Sequence, residues 1–149
     1  MPRAPFQVLV IPFILTQHGI EYAVFLRHDA QYWQFVAGGG EAGESPLDAA
    51  VREAREEAGI PPESRFLALD SLATVPANVF VAHKEWGAGT YAIPEHTFGV
   101  EAKDRSLRLS EEHDECRWVS YEEARDLLKW DSNRNALWEL NERLEKTLK

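Results

Sequence analysis

The chain has 149 residues, 44% hydrophobic and 28% charged, a balance that fits one globular domain over 1–149 and argues against wholesale disorder. A formal charge of −9 lacks the basic footprint that duplex DNA or long RNA requires, so no nucleic-acid polymer is expected as a partner. The single cysteine, Cys116, can close no internal disulfide, and the apolar run "VLVIPFIL" (8–15) is too short for a bilayer and contains Pro12; a soluble cytoplasmic protein with no signal peptide and no membrane partner is expected.

Taken in chain order, "FQVLVIPFIL" (6–15) and "EYAVFLR" (21–27) read as strands joined by a turn at Gln17–Gly19. "YWQFVA" (32–37) reads as a third strand, ending in the glycines 38–40. Ser45 and Pro46 supply an N-cap and a first-turn proline for a helix that "LDAAVREAREEA" continues, and Gly59 with Pro61 and Pro62 stops it. Strands follow at 66–75 and 97–102, with an irregular stretch at 78–96 long enough to be a functional loop. A short strand at 116–120 leads into a helix at 121–130. Asp131 or Ser132 can cap a last helix over 133–147, in which Leu137, Leu140 and Leu144 share a face. The pattern is a mixed α/β domain.

On the first helix, Leu47, Ala50, Val51, Ala54 and Ala58 form an apolar face, while Glu53, Glu56 and Glu57 share another. Carboxylates at that spacing repel by roughly 0.2–0.5 kcal/mol per pair. A solvated face with an Arg52–Glu56 pair is one explanation. The other is a site for a hard divalent cation, Mg²⁺ or Mn²⁺, whose charge would turn the crowding into a set of oxygen ligands. "GGGEAG" (38–43) also fits G-x-G-x-x-G between strand and helix, but Glu41 and Glu44 stand where a pyrophosphate would approach, and the surrounding hairpins do not suit a dinucleotide-binding half.

Read whole, residues 38–60, "GGGEAGESPLDAAVREAREEAGI", resemble the Nudix box, G-x5-E-x7-R-E-U-x-E-E-x-G-U, where U is bulky and apolar. Gly38, Glu44, Arg52, Glu53, Glu56, Glu57, Gly59 and Ile60 occupy its positions, and Ala54 is a small residue at the remaining U. The resemblance implies the Nudix fold, an α/β (α+β) architecture with a mixed sheet between helices and a loop–helix–loop that binds divalent metal. It implies hydrolysis of a diphosphate bond. "YWQFVAGGGEAGE", "SEEHDECRWVS" and "WDSNRNAL" further look similar to the branch that cleaves dihydroneopterin triphosphate or dNTPs. The stretch 78–96 departs from that branch, since Lys84 is its only Lys or Arg.

By this resemblance Glu53 and Glu57 are the main metal ligands, Glu56 a third or a water-mediated one, and Arg52 the group that holds the carboxylates. Glu112 completes the metal site from outside the box, and Glu56, Glu57 or Glu112 is the general base. Gly38 and Gly39 are expected to approach the substrate. Arg27 either grips a terminal phosphate or is a surface arginine. Of Trp33/Phe35 and Tyr32/Gln34, one pair should face the core and the other the cleft, and Ser132–Arg134 reads as a helix cap before a substrate contact. The expected partner is a small phosphorylated substrate, and the chain is expected to be a monomer or a homodimer. A Nudix-derived module that senses a nucleotide without cleaving it is the alternative from another class.

Overall fold

The computed structural model describes residues 2–148, which form seven strands and three α-helices. Strand β1 (Arg3–Thr16) is the organising element. One of its edges pairs in parallel with β6 (Ala92–Glu101), from Gln7 opposite Glu95 to Phe13 opposite Glu101. The other edge is shared between β4 (Val36–Glu41) near its start and β2 (Gly19–Arg27) near its end. The two-residue β3 (Trp33–Gln34) and β7 (His113–Val119) extend the sheet from β2, and β5 (Phe66–Pro76) extends it from β6.

Alternation along β1 builds both layers, because successive side chains leave opposite faces of a strand. Leu9, Ile11 and Phe13 pack beneath α3 (Asp131–Leu148), which buries Leu137, Leu140 and Leu144 as its sequence predicts, and α2 (Tyr121–Leu127) adds Ala124 to this cluster. Val8 and Val10 face α1 (Pro46–Ala58) through Ala49, Ala50, Ala54 and Ala58. The sheet therefore lies between helices. No helix of the described residues is long and apolar enough to cross a membrane.

Several boundaries differ from those the sequence suggests. The run 32–37 is two strands, because Asn133 Oδ1 takes the Phe35 backbone N–H at 3.0 Å and pulls the chain out of line between Gln34 and Val36. The glycines 38–40 belong to β4 rather than to a loop. Strand β6 begins at Ala92, five residues inside the stretch read as irregular. Pro94 obscures its alternation, yet Ile93, Glu95 and Thr97 are buried while Pro94 and His96 are not. What remains of that stretch is two short 3₁₀ turns, Ala77–Val79 and Val81–Glu85, and a turn at Gly87.

Candidate active site

Helix α1 is held at both ends by local chemistry. Ser45 Oγ accepts the Asp48 N–H at 3.1 Å, and Asp48 Oδ2 accepts the Ser45 N–H at 3.2 Å. Pro46 occupies the first turn, and Gly59 at φ 69° closes the last one. The buried stripe comprises Ala49, Ala50, Glu53, Ala54, Glu57 and Ala58. The wheel drawn from the sequence is thus rotated: Leu47 is exposed and Val51 only half-buried, and two of the three glutamates turn inward with the alanines. Glu56 stays in solvent.

Arg52 explains how this crowding is tolerated. Its Nε and Nη2 donate to the two oxygens of Glu44 at 2.8 and 3.0 Å, and Nη2 also reaches the Gly39 carbonyl at 2.8 Å. Nη1 donates to Glu53 at 3.0 Å and to Glu56 at 3.3 Å. Every N–H of the guanidinium is used, which a lysine could not reproduce. The Arg52 bond holds the Glu44 carboxyl below the usual carboxylate range.

Glu53 and Glu57 remain under-neutralised. Burial pushes the Glu53 pKa up to about 7, against the bond from Arg52. Burial also raises Glu57, with Ser110 Oγ donating to it at 2.7 Å in opposition and the charge of Glu112 adding to the rise. The loop before β7 thus brings Glu112 beside Glu57 across the fold, with its N–H on Ser110 Oγ at 3.2 Å and its carbonyl taking the His28 N–H at 2.8 Å. His113, the next residue, is a member of the site that spacing rules gave no reason to expect. Its Nδ1 lies 3.5 Å from Glu57 Oε2, and burial lowers its pKa.

The two glycines expected to face substrate make room for protein side chains. A β-carbon on Gly38 would overlap the Glu53 carboxyl, and one on Gly39 would overlap the Arg3 guanidinium. Arg3 donates to Gln7 Oε1 at 2.8 Å and lies 5.4 Å over the Phe80 ring, while its carbonyl accepts the Trp86 indole N–H at 2.9 Å. It places a second cation beside β4. A lone arginine at the start of a strand carries no local signal of this.

Among the described residues no three His, Cys, Asp or Glu side chains are drawn together closely enough to form a metal cage. The donor set nevertheless suits a hard divalent cation: Glu53 and Glu57 offer carboxylate oxygens that are desolvated and mutually repelling, with Arg52 bonded to Glu53 and Ser110 to Glu57. On the other face of the sheet a cavity of about 590 Å³ is lined by Tyr32, Gln34, Glu95 and Asn133, with Arg27 at its edge. Arg27 is bound by Asp29 at 2.8 and 2.9 Å and is not a free cation. Tyr32 and Gln34 take the cleft, Phe35 the core, and Trp33 lies half-buried with Arg117 4.8 Å from its ring centre. Asn133 secures Phe35, Ser132 lines the cavity with it, and Arg134 pairs with Asp131.

Comparison with known proteins places this geometry. The family model described as NUDIX domain matches residues 10–139. A NUDIX protein of Listeria monocytogenes strain 4b F2365 is 45% identical in sequence, with a TM-score of 0.88 over 97% of each chain. The Escherichia coli dihydroneopterin triphosphate pyrophosphohydrolase shares the fold, with a TM-score of 0.77, 23% identity, and 96% of this chain and 99% of that one covered. An RNA pyrophosphohydrolase of Francisella tularensis subsp. mediasiatica is 32% identical over 107 residues, 64% of this chain. The match spans 66% of that relative's length, just under two thirds.

Proposed function

The chain belongs to the Nudix domain family, and we propose that it is a divalent-metal-dependent pyrophosphohydrolase acting on a small triphosphate, a dNTP or dihydroneopterin triphosphate. The observation that carries this reading is the pair Glu53 and Glu57, both buried, with Arg52 bonded to Glu53 and a third acid, Glu112, beside Glu57. A structural helix gains nothing from two buried, repelling acids. A polyphosphate bound by a chain of net charge −9 needs positive charge supplied locally.

In this reading Glu53 and Glu57 hold Mg²⁺ or Mn²⁺, with Glu56 and Glu112 as further or water-mediated ligands. When bound, the cation neutralises phosphate oxygens and lowers the pKa of water. The residues of the chain do the rest. Arg52 fixes the approach of Glu53 and Glu56 and ties them to β4 through Gly39. Glu57 or Glu112 accepts the proton of the attacking water, and Ser110 Oγ orients Glu57 for that task. Arg27, at the edge of the cavity, would grip a terminal phosphate.

The test is a panel of dNTPs, dihydroneopterin triphosphate and a 5′-triphosphate oligoribonucleotide, with phosphate and pyrophosphate measured separately. Pyrophosphate plus monophosphate from a small triphosphate, abolished by EDTA, is the expected result. Preference for the oligonucleotide would favour the activity named for the Francisella relatives. Binding of nucleotide without any turnover would leave a sensing module.

A further inference from the structure

The cavity on the α3 side of the sheet contains a group that neither the acidic helix nor the fold accounts for. Glu95 sits on β6 between Gln7 of β1 and Ala73 of β5, in the interior of the sheet. It is 8% exposed, and its Oε1 has no hydrogen-bond partner among the described residues. A buried carboxyl oxygen left unpaired is expensive, and such groups persist where a ligand completes them. The surroundings are shaped for a flat ring. Tyr32 and Trp130 meet edge to face at 5.5 Å on one side, and Phe80 and Leu9 line the same space. The volume, about 590 Å³, is that of a small-molecule site.

Accepting that this protein processes a small triphosphate, we propose that Glu95 selects the ring of that substrate by receiving the two adjacent N–H groups of a 2-amino-4-oxopyrimidine edge, the edge that guanine and pterins share. An ionised carboxyl can only accept hydrogen bonds, and it accepts two side by side. Guanine offers N1–H next to its 2-amino group, and a pterin offers N3–H next to its own. Adenine and cytosine place a ring-nitrogen lone pair beside the amino group, which would face the carboxylate oxygen. Uracil and thymine offer a single N–H between two carbonyls. Burial raises the Glu95 pKa, with the Ser132 hydroxyl opposing. Arg27, paired with Asp29, borders the same cavity.

Calorimetric titration of the full chain with dGMP, dIMP, dAMP and neopterin in the presence of Mg²⁺ tests this without relying on turnover. dIMP differs from dGMP only in lacking the 2-amino group. The wild type should bind dGMP or neopterin at least about tenfold more tightly than dIMP or dAMP, since a site built to pair a donor rejects the analogue without it. Tighter dGMP than neopterin identifies a guanine nucleotide as the source of the edge, and the reverse identifies a pterin. In E95Q, whose amide offers one acceptor and one donor group, the dGMP to dIMP ratio should fall toward one. If E95Q does not fold, the wild-type ratio still decides. Equal affinity for dGMP and dIMP with neopterin no tighter, an unchanged dGMP to dIMP ratio in E95Q, or no binding of dGMP and neopterin overturns the assignment, even if triphosphates are hydrolysed. A protein that shows the preference but hydrolyses nothing would keep the Glu95 assignment and lose the hydrolase reading.

Discussion

The two faces of the sheet carry buried glutamates of opposite character. On the α1 face, Glu53 and Glu57 are crowded by other acids and served by Arg52 and Ser110. On the α3 face, Glu95 has one oxygen without a partner among the described residues and shares its cavity with Tyr32, Phe80 and Trp130. The first arrangement is what a cation would relieve, and the second is what a neutral ring with N–H donors would complete. In the proposed reading the same residue type serves two chemistries, set by its surroundings.

The largest effects should come from disturbing the crowded face. Glu53→Gln and Glu57→Gln should each lower turnover at least about a hundredfold, a barrier rise of ~2.7 kcal/mol, with circular dichroism unchanged. Steady-state rates of either variant near those of the wild type would remove that residue from the metal site. Arg52→Lys should come next, because a lysine can replace one or two of the bonds that Arg52 makes to Glu44, Glu53, Glu56 and Gly39. We expect a loss of about 1–3 kcal/mol in urea unfolding, together with slower turnover.

Glu112 and Glu111 give a sharper, smaller contrast. Both are exposed, but Glu112 faces Glu57. Glu112→Gln should reduce turnover about tenfold, ~1.4 kcal/mol, while Glu111→Gln is nearly silent. Partial rescue of Glu112→Gln by additional Mg²⁺ would mark it as a ligand, and no rescue would mark it as the base. Equal small effects would return both to solvent.

The smallest effect is on stability without metal. Because burial raises the Glu53 pKa from 4.5 to about 7, the folded chain binds more protons than the unfolded one between those values. Folding stability from this group therefore falls as pH rises through that window and stays low above it. In EDTA, Glu53→Gln should raise the Tm at pH 8 by a few degrees and leave it little changed at pH 4.5. A gain of equal size at both values would point to packing instead of charge.

What the sequence allowed to be read follows the same division between the faces. The α1 site is local: Ser45, Pro46 and Gly59 bound the helix, and the spacing from Gly38 to Ile60 names its acids before any fold is known. The helix wheel alone could not tell that Leu47 faces out and Ala49 faces in, because the sheet chooses the face. The α3 cavity is non-local. The break at Phe35 depends on Asn133, far along the chain, and the buried register of Glu95 depends on a strand that Pro94 disguises. Arg3 reaches Gly39 only because β1 and β4 pair. Such residues give no periodic or spacing signal to read.

The most direct test of the acidic face as a metal site is Mn²⁺ binding followed by electron paramagnetic resonance, on the wild type and on Glu53→Gln and Glu57→Gln. Mn²⁺ should bind the wild type saturably and be displaced by Mg²⁺, with affinity at least about tenfold weaker in each variant. Unchanged Mn²⁺ affinity in both variants would contradict the assignment of these buried carboxylates to a metal.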